Sequence, residues 1–142
     1  MTALSRRYSS GITGLTSIVM SKVILDGLCF GEGPRWRDGH LWLSDMHDQK
    51  VLKVSPDGHS EVVVALADDQ PSGLGWMPNG DLLIVAMRSK RLLRFDSNEI
   101  SVHADLSELA SGFCNDMVVD KVGRAYVGNF GFDIHNLSLI HI

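Results

Sequence analysis

The sequence predicts an all-β fold, a β-propeller present as an arc of about two and a half blades. Three observations predict it. One phrase occurs three times: Pro34-Arg35-Trp36-Arg37-Asp38-Gly39-His40-Leu41-Trp42-Leu43, then Gly75-Trp76-Met77-Pro78-Asn79-Gly80-Asp81-Leu82-Leu83-Ile84, then Val118-Val119-Asp120-Lys121-Val122-Gly123-Arg124-Ala125-Tyr126-Val127. The turn glycines Gly39, Gly80 and Gly123 stand 41 and 43 residues apart, and a period of roughly 40–45 residues made only of short strands is that of a propeller blade. A second match, Lys50-Val51-Leu52-Lys53-Val54 with Arg91-Leu92-Leu93-Arg94-Phe95, keeps the same 41-residue offset.

The elements follow in order. The first blade offers strands at Gly33–Arg37, Leu41–Ser44, Lys50–Val54 and Glu61–Leu66. They are divided by Arg37-Asp38-Gly39, by a polar loop at Asp45–Gln49 and by Ser55-Pro56-Asp57-Gly58. Proline presets φ at the first central position of a turn and glycine accepts positive φ, so these are turns with a mechanism. The second blade repeats the plan at Gly73–Met77, Asp81–Ala86, Arg91–Phe95 and Ile100–Ala104. Asp105–Ser111 reads as a connecting turn of helix. The third blade supplies Met117–Asp120 and Arg124–Gly128. Trp36, Trp42 and Trp76 fall on the strand pattern and are expected to pack between blades.

Composition narrows the function classes. The 142 residues are 44% hydrophobic, as in a globular protein, and the net charge of −4 gives no footprint for nucleic acid or an anionic membrane. No apolar run approaches the roughly 20 residues that cross a bilayer. Cys29 and Cys114 make no disulfide framework and suit free thiols in a reducing compartment, so a cytoplasmic location is expected. Residues 1–19 read as an unstructured leader, 20–136 as the partial propeller, and 137–142 as an atypical, non-native tail without turn chemistry. A closed propeller takes about four to eight blades. The chain is therefore expected to be a fragment, with open sheet faces that favour association.

Candidate site residues come from the repeat. Glu32 lies seven residues before its turn glycine, while Ser72 and Asn115 lie eight before theirs. With one residue of slack, the three occupy the same place, just before the innermost strand at one mouth of the central channel. An acid, a hydroxyl and an amide then converge on one axis, and all are oxygen donors of the kind hard divalent cations select. Taken singly, Glu32 in Gly31-Glu32-Gly33-Pro34 also reads as a solvated turn acid, and Asn115-Asp116 as an Asx turn. His47 and Arg88 sit in corresponding loops after the second strands. His47 reads as a pocket residue or a solvated loop histidine, and Arg88 as a carboxylate binder or a surface arginine beside Lys90, Arg91 and Arg94. Tyr126–Asp133 could wall a pocket near Asn115 or simply end a strand. The six histidines show no zinc spacing, and no nucleophile elbow, phosphate loop or EF-hand loop is present.

Three motifs in order, Phe30-Gly31-Glu32-Gly33-Pro34-Arg35-Trp36, Leu41-Trp42-Leu43-Ser44-Asp45, and Cys114-Asn115-Asp116-Met117-Val118-Val119-Asp120 with Gly123-Arg124, resemble the SMP-30/gluconolactonase family across about residues 22–135. The resemblance implies a six-bladed propeller that binds a divalent metal ion (calcium, zinc, magnesium or manganese) on its axis and hydrolyses sugar lactones. It matches Glu32 to the family's first-blade metal ligand, and Asn115 to the asparagine that contacts substrate and metal-bound water. An arginine used to hold substrate is replaced here by Phe113, which implies a less polar or differently shaped substrate. The remaining ligands and the candidate base, an asparagine and an aspartate, belong to later blades, so the catalytic base is unassigned. The expectation is a metal-dependent hydrolase of a small-molecule lactone or ester in the intact parent, with this fragment inactive alone. The alternative is a non-catalytic propeller that binds a ligand or protein at its channel mouth.

Overall fold

A computed structural model describes residues 21–131, which form ten strands in three antiparallel sheets with no helix among them. The first sheet orders β1 (Gly31–Arg37), β2 (His40–Asp45), β3 (Lys50–Val54) and β4 (Ser60–Ala65). The second orders β5 (Pro71–Trp76), β6 (Leu82–Ala86), β7 (Arg91–Phe95) and β8 (Ile100–Asp105), and the third pairs β9 (Cys114–Val119) with β10 (Ala125–Asn129). This is the partial propeller arc. Its innermost strands β1, β5 and β9 lie side by side. The leader at 1–19, the tail at 137–142, and Phe132 and Asp133 lie outside the described residues.

The hairpin turns absorb the slack between repeats. β1 and β2 are joined by Asp38 and Gly39, both at positive φ (49° and 74°), the two-residue turn whose twist suits a hairpin. The next two blades use a longer loop. Met77 N–H donates to Asp81 O and Gly80 N–H to Met77 O, and Asp120 and Gly123 repeat the pattern with Arg124 and Asp120. The connector after β8 closes one i→i+4 turn, Ala110 N–H to Leu106 O at 2.8 Å, and goes no further.

Each innermost strand also carries a bulge. Glu32 pairs with Ser44 but Arg35 with Trp42; Pro71 pairs with Ala86 but Leu74 with Ile84; Cys114 pairs with Asn129 but Met117 with Val127. In every case the inner strand has one extra residue, which bends it and turns a side chain out of the pleat. The innermost strands therefore begin two or three residues earlier than expected. Glu32, Ser72 and Asn115 each become the second residue of a strand rather than the residue before one. The close approach explains two glycines. A Cβ on Gly33 would sit 2.7 Å from Ser72 O, and one on Gly73 2.6 Å from Met117 N.

The core consists of the two inter-blade interfaces. One joins Val51, Val64 and Leu66 to Leu74, Leu82 and Ile84; the other joins Leu83, Val85 and Leu92 to Ala110, Cys114 and Met117. Alternate residues of β6 thus serve opposite neighbours, and all five are buried, which is why Leu82-Leu83-Ile84-Val85-Ala86 is continuously apolar. Trp42 and Trp76 meet edge-to-face across the first interface, with centroids 5.4 Å apart. Trp36 does not join them. It pairs with Leu41 on the opposite face of the first sheet and is 65% exposed, because no further sheet covers that face among the described residues.

Candidate functional site

The repeat builds a two-tiered ring. The inner tier is the second residue of each innermost strand, Glu32, Ser72 and Asn115. The outer tier is the residue just before that strand (Phe30, Gln70, Phe113), tied to the residue just after the blade's second strand (Met46, Met87, Phe130). One backbone bond recurs in each blade to make this tie: Met46 N–H to Phe30 O and Met87 N–H to Gln70 O at 2.9 Å, and Phe130 N–H to Phe113 O at 3.1 Å. Residues of both tiers line one cavity of ≈ 320 Å³, within the usual range for a small-molecule site. Ser72 itself is fully buried behind Asn115.

The structure brings all five candidate residues, Glu32, Asn115, Phe113, His47 and Arg88, to this cavity. Glu32 is half-buried, and its Oε2 is sealed from solvent without a hydrogen-bond partner. A carboxylate oxygen in that state is costly unless a cation or donor meets it. Asn115 is held from behind: Ser72 Oγ donates to its Oδ1 at 3.1 Å, and Ser44 Oγ donates to Ser72 O at 2.7 Å. With Oδ1 engaged, Nδ2 is the amide's group for an incoming oxygen. His47 is exposed but stacks on Phe30, with centroids 5.1 Å apart and planes 28° apart. Arg88 is exposed at the rim. Its backbone N–H donates to Asp69 Oδ1 at 2.9 Å and its Nε to Gln70 Oε1 at 3.2 Å, so its head is tethered over the second blade. Behind the ring, burial pushes the Cys114 thiol above its ordinary pKa, which keeps it protonated and unreactive.

One arginine fastens the three inner strands. Arg35 donates from Nε to Leu74 O at 3.1 Å, and from Nη2 to Met117 O at 2.8 Å and Asp116 Oδ1 at 2.5 Å. Asp116 Oδ1 also accepts from Met117 N–H at 2.7 Å. This carboxylate is therefore committed to the scaffold one residue beyond Asn115.

Sequence reasoning did not single out Gln70, Met46 or Met87, and Phe30 entered only as part of a motif. The signal was available in the register: each precedes an innermost strand or follows a second strand. Of the aromatic stretch from Tyr126, Phe130 reaches the cavity, whereas Tyr126 pairs with Val118 on the outward face and is 53% exposed. A single carboxylate and an amide fit part of a hard cation's oxygen shell. Among the described residues no group of three or more His, Cys, Asp and Glu side chains could hold a metal ion. Among the described residues no helix is long and apolar enough to cross a membrane.

Three bulged inner strands side by side, each opening an antiparallel sheet, define a partial β-propeller with a cavity at one end of those strands. The model of the SMP-30/gluconolactonase/LRE-like region matches residues 30–138, and the chain belongs to that family. Among solved structures, a gluconolactonase from Xanthomonas campestris superposes with a TM-score of 0.67 at 20% identity, over 77% of this chain and 38% of that one. The calcium-binding regucalcin of Agrobacterium tumefaciens gives 0.58 at 19% identity, over 71% and 39%. A protein of unknown function from Bacteroides thetaiotaomicron gives 0.57 at 22% identity, over 65% and 30%. These likenesses establish the shared fold, and the chain spans well under half of each structure. A search of curated protein sequences finds no match.

Proposed function

We propose that this chain forms the first part of the axial site of a metal-dependent lactone hydrolase, and that the remaining ligands and the general base come from further blades. The observation that carries the reading is the buried, unpartnered Oε2 of Glu32 beside a braced asparagine in a ligand-sized cavity. It is supported by membership of a family whose structural relatives include a gluconolactonase and a calcium-binding regucalcin.

In this reading Glu32 holds a divalent cation through its carboxylate, and the chemistry such a cation supplies when bound is Lewis acidity toward a lactone carbonyl. Asn115 binds the substrate through Nδ2, in an orientation set by Ser72 and Ser44. Phe30 and Phe113 cover the entering ring and exclude water from the face away from the axis. A lone carboxylate with one amide is too small a set to keep a catalytic metal, so the 142 residues by themselves turn over no lactone.

The test is hydrolysis of glucono-δ-lactone, followed by proton release, in the protein that carries this chain together with its further blades. Calcium or manganese should stimulate turnover, and Glu32→Gln should lower it by about 100-fold or more with the fold retained. Undiminished turnover in that variant removes Glu32 from the site.

A further inference from the structure

We infer that the pocket selects lactones bearing an apolar alkyl or aryl substituent over polyhydroxylated sugar lactones, and that Phe113 is the residue that sets this preference. The inference rests on the hydrolase reading for the reacting end of the substrate but not for its apolar end. The two tiers of the ring differ in chemistry. The inner tier presents a carboxylate and an amide, Glu32 and Asn115, enough to fix one carbonyl or ring oxygen. In the outer tier, five of six positions are Phe or Met: Phe30, Phe113, Phe130, Met46 and Met87. The sixth, Gln70, has its Oε1 engaged by Arg88 Nε.

A sugar lactone carries a hydroxyl on nearly every ring carbon and on its side chain. A hydroxyl moved from water against the five Phe and Met positions loses its partners and gains none there. His47, Arg88 and the Gln70 amide nitrogen offer partners only at one side of the cavity, too few for a ligand hydroxylated all round. A site rejects a ligand whose polar groups it leaves unpaired. A hydrocarbon substituent suffers no such loss. It removes apolar surface from water, and methionine side chains adapt to its shape. The stacking of His47 on Phe30 extends the aromatic wall to the rim. Phe113 is decisive because of its place. It precedes the bulged strand by one residue, stands two before Asn115, and lines the same cavity as Asn115.

The test uses the 142-residue chain and saturation-transfer NMR with two probes, γ-decalactone and glucono-δ-lactone. The alkyl protons of γ-decalactone should receive saturation, and its affinity should exceed that of glucono-δ-lactone by about tenfold or more. Phe113→Arg should weaken γ-decalactone by about tenfold, while Phe113→Leu, which keeps the wall apolar, should change it by less than about threefold. Equal or tighter binding of glucono-δ-lactone overturns the inference, as does a well-folded Phe113→Arg chain that binds γ-decalactone unchanged. If Phe113→Arg fails to fold, the comparison of the two probes on the unmodified chain decides. Hydrolysis by the longer protein separates this inference from the hydrolase reading. Faster turnover of the sugar lactone sinks the selectivity and keeps the reaction. Tight γ-decalactone binding with neither lactone hydrolysed sinks the reaction and keeps the selectivity.

Discussion

Glu32 holds one carboxylate oxygen sealed from solvent with no donor against it. A buried carboxylate oxygen without a donor destabilises the free protein and favours only something it can bind. Glu32→Gln replaces the charge with a neutral amide of the same shape. On the 142-residue chain this substitution should leave the melting temperature equal or slightly higher, and should abolish any rise that calcium or manganese produces, as read by differential scanning fluorimetry. A drop of more than about 1 kcal/mol in unfolding free energy would instead mean that Glu32 is satisfied from within, as a hydrogen-bonded structural acid. Glu32 and Asn115 were legible in the sequence because a repeat makes positions equivalent, and equivalent positions in a propeller converge. The pairing of Phe30 with Met46 and of Phe113 with Phe130 could be reached only through strand register, not through any motif. It depends on a backbone bond between the start of one strand and the end of the next, and no side-chain pattern encodes that bond.

Among the elements, the inner-strand bulge does most to position the site. It adds a residue to β1, β5 and β9 beside the axial side chain, and Arg35 then reaches from the bulge of the first blade to the carbonyls of Leu74 and Met117. A lysine has the charge but not the planar fork needed to meet these acceptors together. Arg35→Lys should therefore cost about 1–3 kcal/mol in urea unfolding, and Arg35→Ala at least as much. A loss below about 0.5 kcal/mol would show that the inner strands hold together by packing alone. A second element-scale prediction concerns acid. The Asn79 side chain, and after it the Arg94 guanidinium, holds the Asp81 carboxyl below its ordinary value of 3.8. A depressed carboxylate contributes stability that is present above the unfolded value and lost as pH falls through the lower folded one. Stability should thus decline as pH drops below about 4, and Asp81→Asn should flatten that part of the acid limb in denaturant midpoints. The strands themselves were legible to within one to three residues. The largest error fell at their inner starts, because a bulge breaks the alternation from which a strand's first residue is read. The placing of Trp36 failed for a different reason: strand alternation shows that a residue faces out of a sheet but not whether another sheet lies there.

At the scale of the whole molecule, stability resides in the interfaces between sheets, since each sheet buries its faces only against a neighbour. The second sheet has both faces covered, and its β6 is wholly buried. The outer sheets each have one face covered only in part. On the first sheet's far face Leu43 and Val54 are buried, with Leu28 beside Leu43, but their neighbours are not. On the first, Trp36 and Val62 lie on the face away from the second sheet and are 65% and 53% exposed. On the third, Val118 and Tyr126 pair across β9 and β10 and are 60% and 53% exposed. β-branched and aromatic residues side by side on an open sheet form the kind of surface that soluble monomers rarely leave bare. The 142-residue chain should accordingly bind the dye ANS while folded and sediment as larger species as concentration rises. The double substitution Val118→Lys with Tyr126→Lys should reduce both effects without lowering stability by more than about 0.5 kcal/mol per site, because neither side chain is in the core. Adding the next blade in the same chain should suppress them further by covering that face, and should raise the unfolding free energy through one more interface. A chain that stays monomeric and dark to ANS at high concentration would show that these faces are already covered, and that the sheets described here have their full set of neighbours.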